Sequence, residues 1–329
     1  MTPPRRTVTA SLLAPSIAVV LALGAAACGV THPATAAGTT SATETTLVLP
    51  GAGHPTVTIG DKNFTEQFVL GELYGQALRA QGFSVLSNRN IGPIEVTIRA
   101  LQNGTLSLYP EYLGTWNTMV AGYLRTFPSR SGAYRAAQRY AVAHGLELLD
   151  LTPFSDTDAI GVTSAYAAAN GLRTIGDLTR VAPALTLGAP PQFAQLPADL
   201  PALEQAYGFL PSAFKALEVG GQFQALDAGS VQAADVSSTA GQLTLGKYDL
   251  LRDTRNVFGW GNVIPVVPAK VLTAEGPAFA ATINQVSALL TLTVMRKLNA
   301  DVDVQHQDPA TVAKRFLQAQ GLVVLTTGR

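Results

Sequence analysis

The amino-acid sequence predicts an α/β protein built as two lobes with a ligand-binding cleft between them. Strand–helix–strand order occurs twice, once before and once after about residue 158, and the chain turns wholly helical after about residue 267. Such order implies parallel strands with helices packed on the faces of the sheet. A helical tail after a second α/β segment fits a chain that crosses between the lobes twice.

The first α/β segment opens with the alternating strand pattern of residues 57–61. Asn63 and Glu66 have the spacing of a capping box, which predicts a helix after them. The apolar residues of that helix fall largely on one face, and the helix is expected to end near Gly82. Further strands are predicted at 83–86 and 106–109, the second stopping at Pro110, with a short helix at 95–102 between them.

The middle segment repeats this order, and the tail is helical. Strands are predicted at 159–163, 185–187, 216–219, 234–237 and 248–251, and helices at 174–178, 200–207 and 223–228. Tail helices are predicted at 277–290 and 293–298. The last helix is expected to start with Asp308 as N-cap and Pro309 at its first position, and to run to Gly321.

The two crossings are predicted near Asp158 and within residues 262–265. Lobe I is therefore expected to comprise residues 55–158 plus 265–329, and lobe II residues 159–264. Small ligands commonly bind in such clefts, at the carboxyl ends of the strands.

The N-terminus has the pattern of an export signal. Arg5 and Arg6 are followed by a mostly apolar run over 12–23 and by small residues that lead into Cys28, the one cysteine of the chain. An incidental thiol is the alternative, but the position after the small residues favours a lipoprotein signal peptide over 1–28 and lipidation of Cys28. Residues 29–54 then predict a flexible tether, because they are rich in Thr, Ala, Ser and Gly. The expected location is extracytoplasmic, anchored to the cell membrane.

Composition and motifs limit the possible functions. The formal net charge is zero and 13% of residues are charged. No cluster of Lys and Arg predicts a nucleic-acid partner, so the expected partners are small molecules and proteins. The four histidines form no metal-binding motif, and no nucleophile elbow, P-loop or dinucleotide fingerprint occurs. We therefore expect no enzymatic activity, no metal and no cofactor.

Several motifs carry a resemblance to a known family. They are Gly60-Asp61-Lys62-Asn63-Phe64-Thr65-Glu66-Gln67, Leu108-Tyr109-Pro110-Glu111-Tyr112-Leu113-Gly114-Thr115, Asp235-Val236-Ser237-Ser238-Thr239 and Asn262-Val263-Ile264-Pro265-Val266-Val267. In this order they resemble the glycine betaine/choline/carnitine (osmoprotectant) binding proteins of ABC importers. The resemblance implies a two-lobe periplasmic-binding-protein fold of type II, with a mixed sheet flanked by helices in each lobe. It also implies an osmoprotectant ligand and the permease and ATPase subunits of an importer as partners.

The resemblance also suggests residues that bind the ligand. A trimethylammonium group donates no hydrogen bond, so aromatic faces hold it through cation–π attraction. Tyr109 and Tyr112 are candidates for that aromatic wall, although Tyr109 has the alternative of packing inside lobe I. Lys62 and Asn63 are candidates for polar anchoring, since a betaine carboxylate needs hydrogen-bond donors.

The sequence departs from the family pattern in the second lobe. Ser237, which Ser238 and Thr239 follow, stands where the family has a tyrosine of the binding site. Gly259-Trp260-Gly261 replaces an aromatic-containing family segment. Trp260 or Phe193, or alternatively Phe154 or Phe258, is expected to replace the lost aromatic wall.

A polar segment just before the first crossing is a further candidate. Ser155, Asp156, Thr157 and Asp158 are expected to face the cleft, with helix capping or a turn as the alternative. Acids at this place, together with the loss of a tyrosine at Ser237, leave two ligand hypotheses. The first is a quaternary-ammonium osmoprotectant, and the second is a polyhydroxylated or aromatic compound carried by the same fold.

Overall fold

The computed structural model describes residues 48–123 and 126–324 of the chain. The predicted signal peptide, Cys28 and most of the predicted tether lie outside these residues. The tether, however, ends before residue 54. Gly51 is buried and its N–H donates to the carbonyl of Gln81 at 2.8 Å, and the His54 ring lies 5.8 Å from that of Phe83. Residues 51–54 therefore pack on the folded body.

Lobe I begins with parallel pairing and a long helix. Its elements before the first crossing are β1 (Val57–Gly60), α1 (Thr65–Ala80), β2 (Val85–Asn88), α2 (Ile94–Asn103), β3 (Tyr109–Tyr112), α3 (Leu113–Thr115), α4 (Arg130–Ala143) and β4 (Leu146–Leu148). Strands β1 and β2 pair in parallel. In α1, Leu70, Leu73, Tyr74 and Leu78 share one face at helical spacing and are fully buried in the core of the lobe.

Two local predictions for lobe I are wrong. Pro110 lies inside β3, opposite Pro265, at a place where its missing N–H is not needed. Its carbonyl points away from that partner and accepts from Gln67 Nε2 at 2.7 Å. Asn63 does not cap α1, which has Phe64 at its N-cap without a side-chain bond. The Glu66 carboxylate is buried in a network with other partners, so no capping box forms.

Lobe II is a five-stranded mixed sheet with helices around it. Its elements are β5 (Asp158–Thr163), α5 (Ser164–Asn170), β6 (Thr186–Ala189), α6 (Leu200–Tyr207), β7 (Ala213–Ala216), α7 (Gln222–Asp227), β8 (Ala233–Ser237) and β9 (Tyr248–Leu250). The strand order is β7-β6-β8-β5-β9, with β5 antiparallel to both of its neighbours. The strand predicted at 216–219 lies three residues earlier, because β7 is a largely exposed edge strand without a clear alternating pattern.

The chain returns to lobe I and ends in helices. These elements are β10 (Val263–Pro268), α8 (Ala269–Glu275), α9 (Pro277–Leu289), α10 (Leu292–Asp303) and α11 (Pro309–Ala319). Strand β10 is buried throughout and lies between β3 and β4. The predicted cap of the last helix is confirmed, since Asp308 Oδ2 accepts from the N–H of Thr311 at 3.0 Å.

The described helices include no single one long and apolar enough to cross a membrane. The pair α9 and α10 passes a test of length and composition only as a broken span bent by 88°. Both helices contribute buried side chains to the core of lobe I, among them Phe279, Ile283 and Met295.

The two crossing segments run side by side. The N–H of Asp156 donates to the carbonyl of Gly261 at 3.0 Å, and the N–H of Gly261 donates to Ser155 Oγ at 2.9 Å. Asp158 already pairs with Ser237 in the lobe II sheet, and Val263 already pairs with Tyr112 in the lobe I sheet. Lobe II therefore begins at Asp158, and residues 263 and 264 belong to lobe I. These limits lie one and two residues from the predicted boundaries, because strand pairing rather than local composition sets them.

Candidate functional site

A cavity of about 850 Å³ lies between the lobes and next to the crossing segments. Residues of both lobes and of both crossings line it. Its aromatic side chains are Phe64, Tyr112, Tyr123, Phe127, Phe258 and Trp260. Its acidic side chains are Asp156, Asp158 and Asp199. The size suits a small organic ligand.

Most of the aromatic side chains belong to lobe I and to the return crossing, and Phe258 packs against the core of lobe II. The rings of Phe64 and Tyr112 lie 6.1 Å apart, and Phe64 is 42% exposed although it is a large apolar residue. The indole N–H of Trp260 donates to the carbonyl of Phe127 at 3.0 Å, which ties the return crossing to lobe I. The Trp260 ring therefore keeps its indole hydrogen bond satisfied while it lines the cavity.

Glu66 joins the two lobes behind this wall. Its Oε1 accepts from the hydroxyl of Tyr112 at 2.9 Å. Its Oε2 lies 2.5 Å from Thr239 Oγ1 of lobe II and accepts from Asn299 Nδ2 of α10 at 2.8 Å. Burial raises the pKa of the Glu66 carboxyl to about 8, and the charge of Asp156 acts in the same direction.

A chain of hydrogen bonds connects Glu66 to Asp156. Thr239 Oγ1 lies 2.5 Å from Glu66 and 2.9 Å from Ser237 Oγ, which lies 2.5 Å from Asp156 Oδ1. These three contacts need three hydrogens, and the two hydroxyls supply two. A protonated Glu66, which agrees with its raised pKa, supplies the third hydrogen by donating from Oε2 to Thr239 Oγ1.

The lobe II side of the cleft gathers further carboxyl groups. Desolvation within the cleft and the charge of Asp156 raise the pKa of Asp158 to about 6. Desolvation and Asp158 likewise raise the pKa of Asp199 to about 6. Asp235 is buried below them, and burial together with the charges of Asp158, Asp199 and Asp156 raises its pKa to about 9. At neutral pH, Asp158 and Asp199 are therefore mostly ionised and Asp235 is mostly protonated.

The described residues hold no group of three or more His, Cys, Asp or Glu side chains arranged to bind a metal ion.

Six of the residues predicted to bind ligand line the cavity. They are Tyr112, Asp156, Thr157, Asp158, Ser237 and Trp260. They come from both lobes and both crossings, as the double crossing predicts.

Seven other predicted residues do not reach the cavity. Tyr109 is fully buried in lobe I, which agrees with the alternative interpretation of packing inside that lobe. Lys62 Nζ lies 5.6 Å from the centre of the Tyr109 ring. Asn63 is exposed to solvent. Phe193 is buried in the core of lobe II.

The remaining three hold the crossing together. Ser155 Oγ accepts from the N–H of Gly261, and Ser238 Oγ accepts from the N–H of Thr157 at 3.0 Å. Thr239 is buried and its hydroxyl is hydrogen-bonded to Glu66.

Several cavity residues were missed from the sequence. Phe64 follows the selected Asn63 in the same motif, so the signal for it was present. Asp199 precedes α6 and has the pattern of an ordinary N-cap. Tyr123 has no recognisable pattern, because it lies in an irregular segment after α3. Phe258 is one of the four alternatives for the lost aromatic wall, and it lines the cavity together with Trp260.

Comparison with known proteins identifies the family. Residues 55–319 match the family described as the substrate-binding domain of ABC-type glycine betaine transport systems. The chain belongs to this family. As a substrate-binding domain of this kind, it is a transport protein rather than a member of an enzyme family, and it has the two-lobe fold predicted from the sequence.

Relatives of this substrate-binding domain cover most of the chain. The glycine-betaine-binding protein of Pseudomonas aeruginosa is 29% identical over 279 residues, which cover 82% of this chain and 89% of that protein. The glycine betaine-binding protein YehZ of Escherichia coli is 28% identical over 291 residues, covering 83% and 93%.

Solved structures of similar proteins have the same fold. A structure described as a glycine betaine/carnitine/choline ABC transporter has a TM-score of 0.75 at 22% identity and covers 81% of this chain and 99% of its own. Unliganded YehZ of Escherichia coli has a TM-score of 0.69 at 27% identity, with 82% and 99% covered.

Proposed function

We propose that this chain captures a small osmoprotectant with a trimethylammonium group, of the glycine betaine, choline or carnitine type, and delivers it to an ABC permease. The observation that carries this proposal is the aromatic lining of the interlobe cavity in a substrate-binding domain of this family. Cation–π attraction to such rings is the interaction that a quaternary ammonium group can make. Trp260 supplies the ring that lobe II lacks at Ser237.

Binding is measured by titration calorimetry of residues 47–329 with choline, glycine betaine and carnitine. Trp260→Ala is expected to weaken the ligand that binds best by about tenfold, because it removes a cation–π face worth roughly 0.5–2 kcal/mol and some apolar contact. Phe223→Ala is the matched control, since Phe223 packs against Tyr248 outside the cavity, with ring centres 4.7 Å apart. Equal losses in both variants would contradict a role of Trp260 in the site.

A second ligand class has one observation in its favour. Ser237 presents a hydroxyl instead of the tyrosine of the family pattern, and this hydroxyl bonds to Asp156 at the cavity. Such a polar wall suits the hydroxyls of a polyhydroxylated compound or of an aromatic one. A titration series that includes polyols and phenolic compounds decides between the two classes. Binding of those compounds without binding of any trimethylammonium compound would replace the first proposal by the second.

We further propose that the protein acts outside the cytoplasm as a lipoprotein anchored through Cys28. The support is the sequence pattern of residues 1–28. Cys28→Ser is expected to move the protein from the membrane pellet to the soluble fraction, because a serine has no thiol to acylate. Metabolic labelling with a radioactive fatty acid should mark the wild type and leave the variant unlabelled. A variant that still sediments with membranes would contradict the anchor.

A further inference from the structure

We propose that the cleft selects organic ammonium cations that carry no carboxylate, so that choline binds more tightly than glycine betaine or carnitine. This inference rests on the proposed ligand class and narrows it. Its basis is the distribution of charge around the cavity.

The described residues that line the cavity include three aspartates and no Lys, Arg or His. A ligand carboxylate is normally held by a cationic side chain or by a set of uncommitted donors. Lys62, the nearest candidate from the sequence, points into lobe I, where burial raises the pKa of Glu111 to about 7 and the charge of Lys62 partly offsets that rise. The wall that faces the ligand is therefore negative and holds no cationic side chain; the donors that line it, such as Thr157 and Gln205, are uncharged.

Asp235 provides an independent observation. It is 6% exposed, and its Oδ1 has no hydrogen-bond partner within the described part of the protein. Asp158 pairs with Ser237 and Ile160 with Asp235 on adjacent strands, which places Asp158 and Asp235 on the same face of the lobe II sheet. Burial is the largest cause of the raised pKa of Asp235, and the charges of Asp158, Asp199 and Asp156 raise it further. Four carboxyl groups thus lie close together, and no cationic side chain lines the cavity beside them. A cationic ligand would balance their charge.

The two sides of the cleft offer the ligand different kinds of contact. Most of the aromatic rings come from lobe I and from Trp260 of the return crossing, with Phe258 packed against the lobe II core, whereas Asp158 and Asp199 come from lobe II. A trimethylammonium group between them meets ring faces on one side and negative charge on the other. The hydroxyl of choline can donate to an aspartate oxygen. The carboxylate of glycine betaine, at the same place, meets carboxylates that repel it.

The change of binding affinity with pH should distinguish the two ligands, because the acids of the cleft titrate. The acids that face one another are Asp156, Asp158, Asp199 and Asp235, with Glu66 joined to Asp156 through Ser237 and Thr239. A bound cation favours their ionised forms, so it lowers their pKa values and releases protons. The affinity for choline should therefore rise with pH through about 6, where Asp158 and Asp199 titrate.

The test compares choline with glycine betaine, which share a trimethylammonium group and differ at the other end. Calorimetric titration of residues 47–329 at pH 7.5 is expected to give a dissociation constant about tenfold or more lower for choline, as one uncompensated charge pair implies. The ratio is expected to shrink at pH 5, where Asp158 and Asp199 are mostly protonated. Titration in two buffers of different ionisation enthalpy should show proton release with choline.

Matched variants identify the groups responsible. Asp158→Asn and Asp199→Asn are each expected to reduce the preference for choline several-fold, whereas Asp249→Asn should leave it unchanged. Asp249 is an exposed carboxylate in β9 that bonds to Ser164 and does not line the cleft. Glycine betaine binding as tightly as choline in the wild type would overturn this inference and leave the proposed function standing. If no trimethylammonium compound binds, both fail.

Discussion

Gly261→Ala is expected to cost more than about 3 kcal/mol of folding free energy, or to prevent folding. A Cβ at this position would lie 1.6 Å from the carbonyl oxygen and 2.4 Å from the carbonyl carbon of Asp156. These are backbone atoms of the other crossing segment, so no change of rotamer relieves the overlap. The methyl group must separate the two segments and break the hydrogen bond from Asp156 N–H to the Gly261 carbonyl.

Urea unfolding followed by circular dichroism measures this loss, with Gly259→Ala as the matched control. Gly259 has a φ of +70° and nothing within 4 Å of its absent Cβ. Alanine there should cost only about 1–2 kcal/mol, which is the usual penalty for a left-handed conformation. The order of the two losses is the critical result. Near-equal losses would mean that the crossing segments can separate freely.

Glu66→Ala is the second change with a large expected effect, about 3 kcal/mol or more at pH 7. It removes the carboxyl group that is hydrogen-bonded to Tyr112, Thr239 and Asn299, and it leaves a cavity where the side chain was buried. Unfolding by urea gives the loss. Glu204→Ala is the control, because Glu204 is exposed on α6 and should change stability by less than about 0.5 kcal/mol. A loss for Glu66→Ala no larger than that of the control would refute the role of Glu66 as a link between the lobes.

The stability of the folded protein should also fall as pH rises, because of the raised pKa of Glu66. The folded protein keeps a proton on Glu66 up to about pH 8, whereas the unfolded chain loses it near the ordinary value of 4.5. The folded state thus binds more protons between these values, so its stability falls as pH rises through this window. Asp235, with a pKa of about 9, acts in the same direction.

Glu66→Gln isolates the contribution of Glu66, because glutamine keeps the shape of the side chain but does not titrate. The loss of stability between pH 5 and pH 8 is expected to be smaller in this variant by about 1 kcal/mol or more. Urea midpoints at pH 5, 6.5 and 8 provide the measurement. Parallel curves for wild type and variant would show that Glu66 is ionised in the folded protein throughout.

Local patterns predicted those site residues whose position follows from chain topology. Asp156 and Trp260 belong to the two crossings, and a crossing segment lies beside the cleft in any two-lobe arrangement. Ser237 ends a strand of lobe II, at the edge where ligands commonly bind. These predictions need only the order of the elements, which the spacing of apolar residues indicates.

The choice between Tyr109 and Tyr112 could not be made in this way. The two residues are three apart in one strand, so their side chains point to opposite faces. Which face meets the core depends on pairing with β10, a strand about 150 residues later in the chain. That pairing places Tyr109 in the core and leaves Tyr112 at the cleft.

The sequence by itself determined the α/β class, the two crossings, the cap at Asp308 and the position of Asp156, Asp158 and Trp260 beside the cleft. Each of these depends on a local pattern or on element order. The tertiary structure alone decided that Glu66 joins the lobes instead of capping α1, and that Asp199 and Asp235 meet Asp158. The reason is physical. Burial and the charges of distant residues set the state of a carboxyl group, and neither can be recognised from neighbours along the chain.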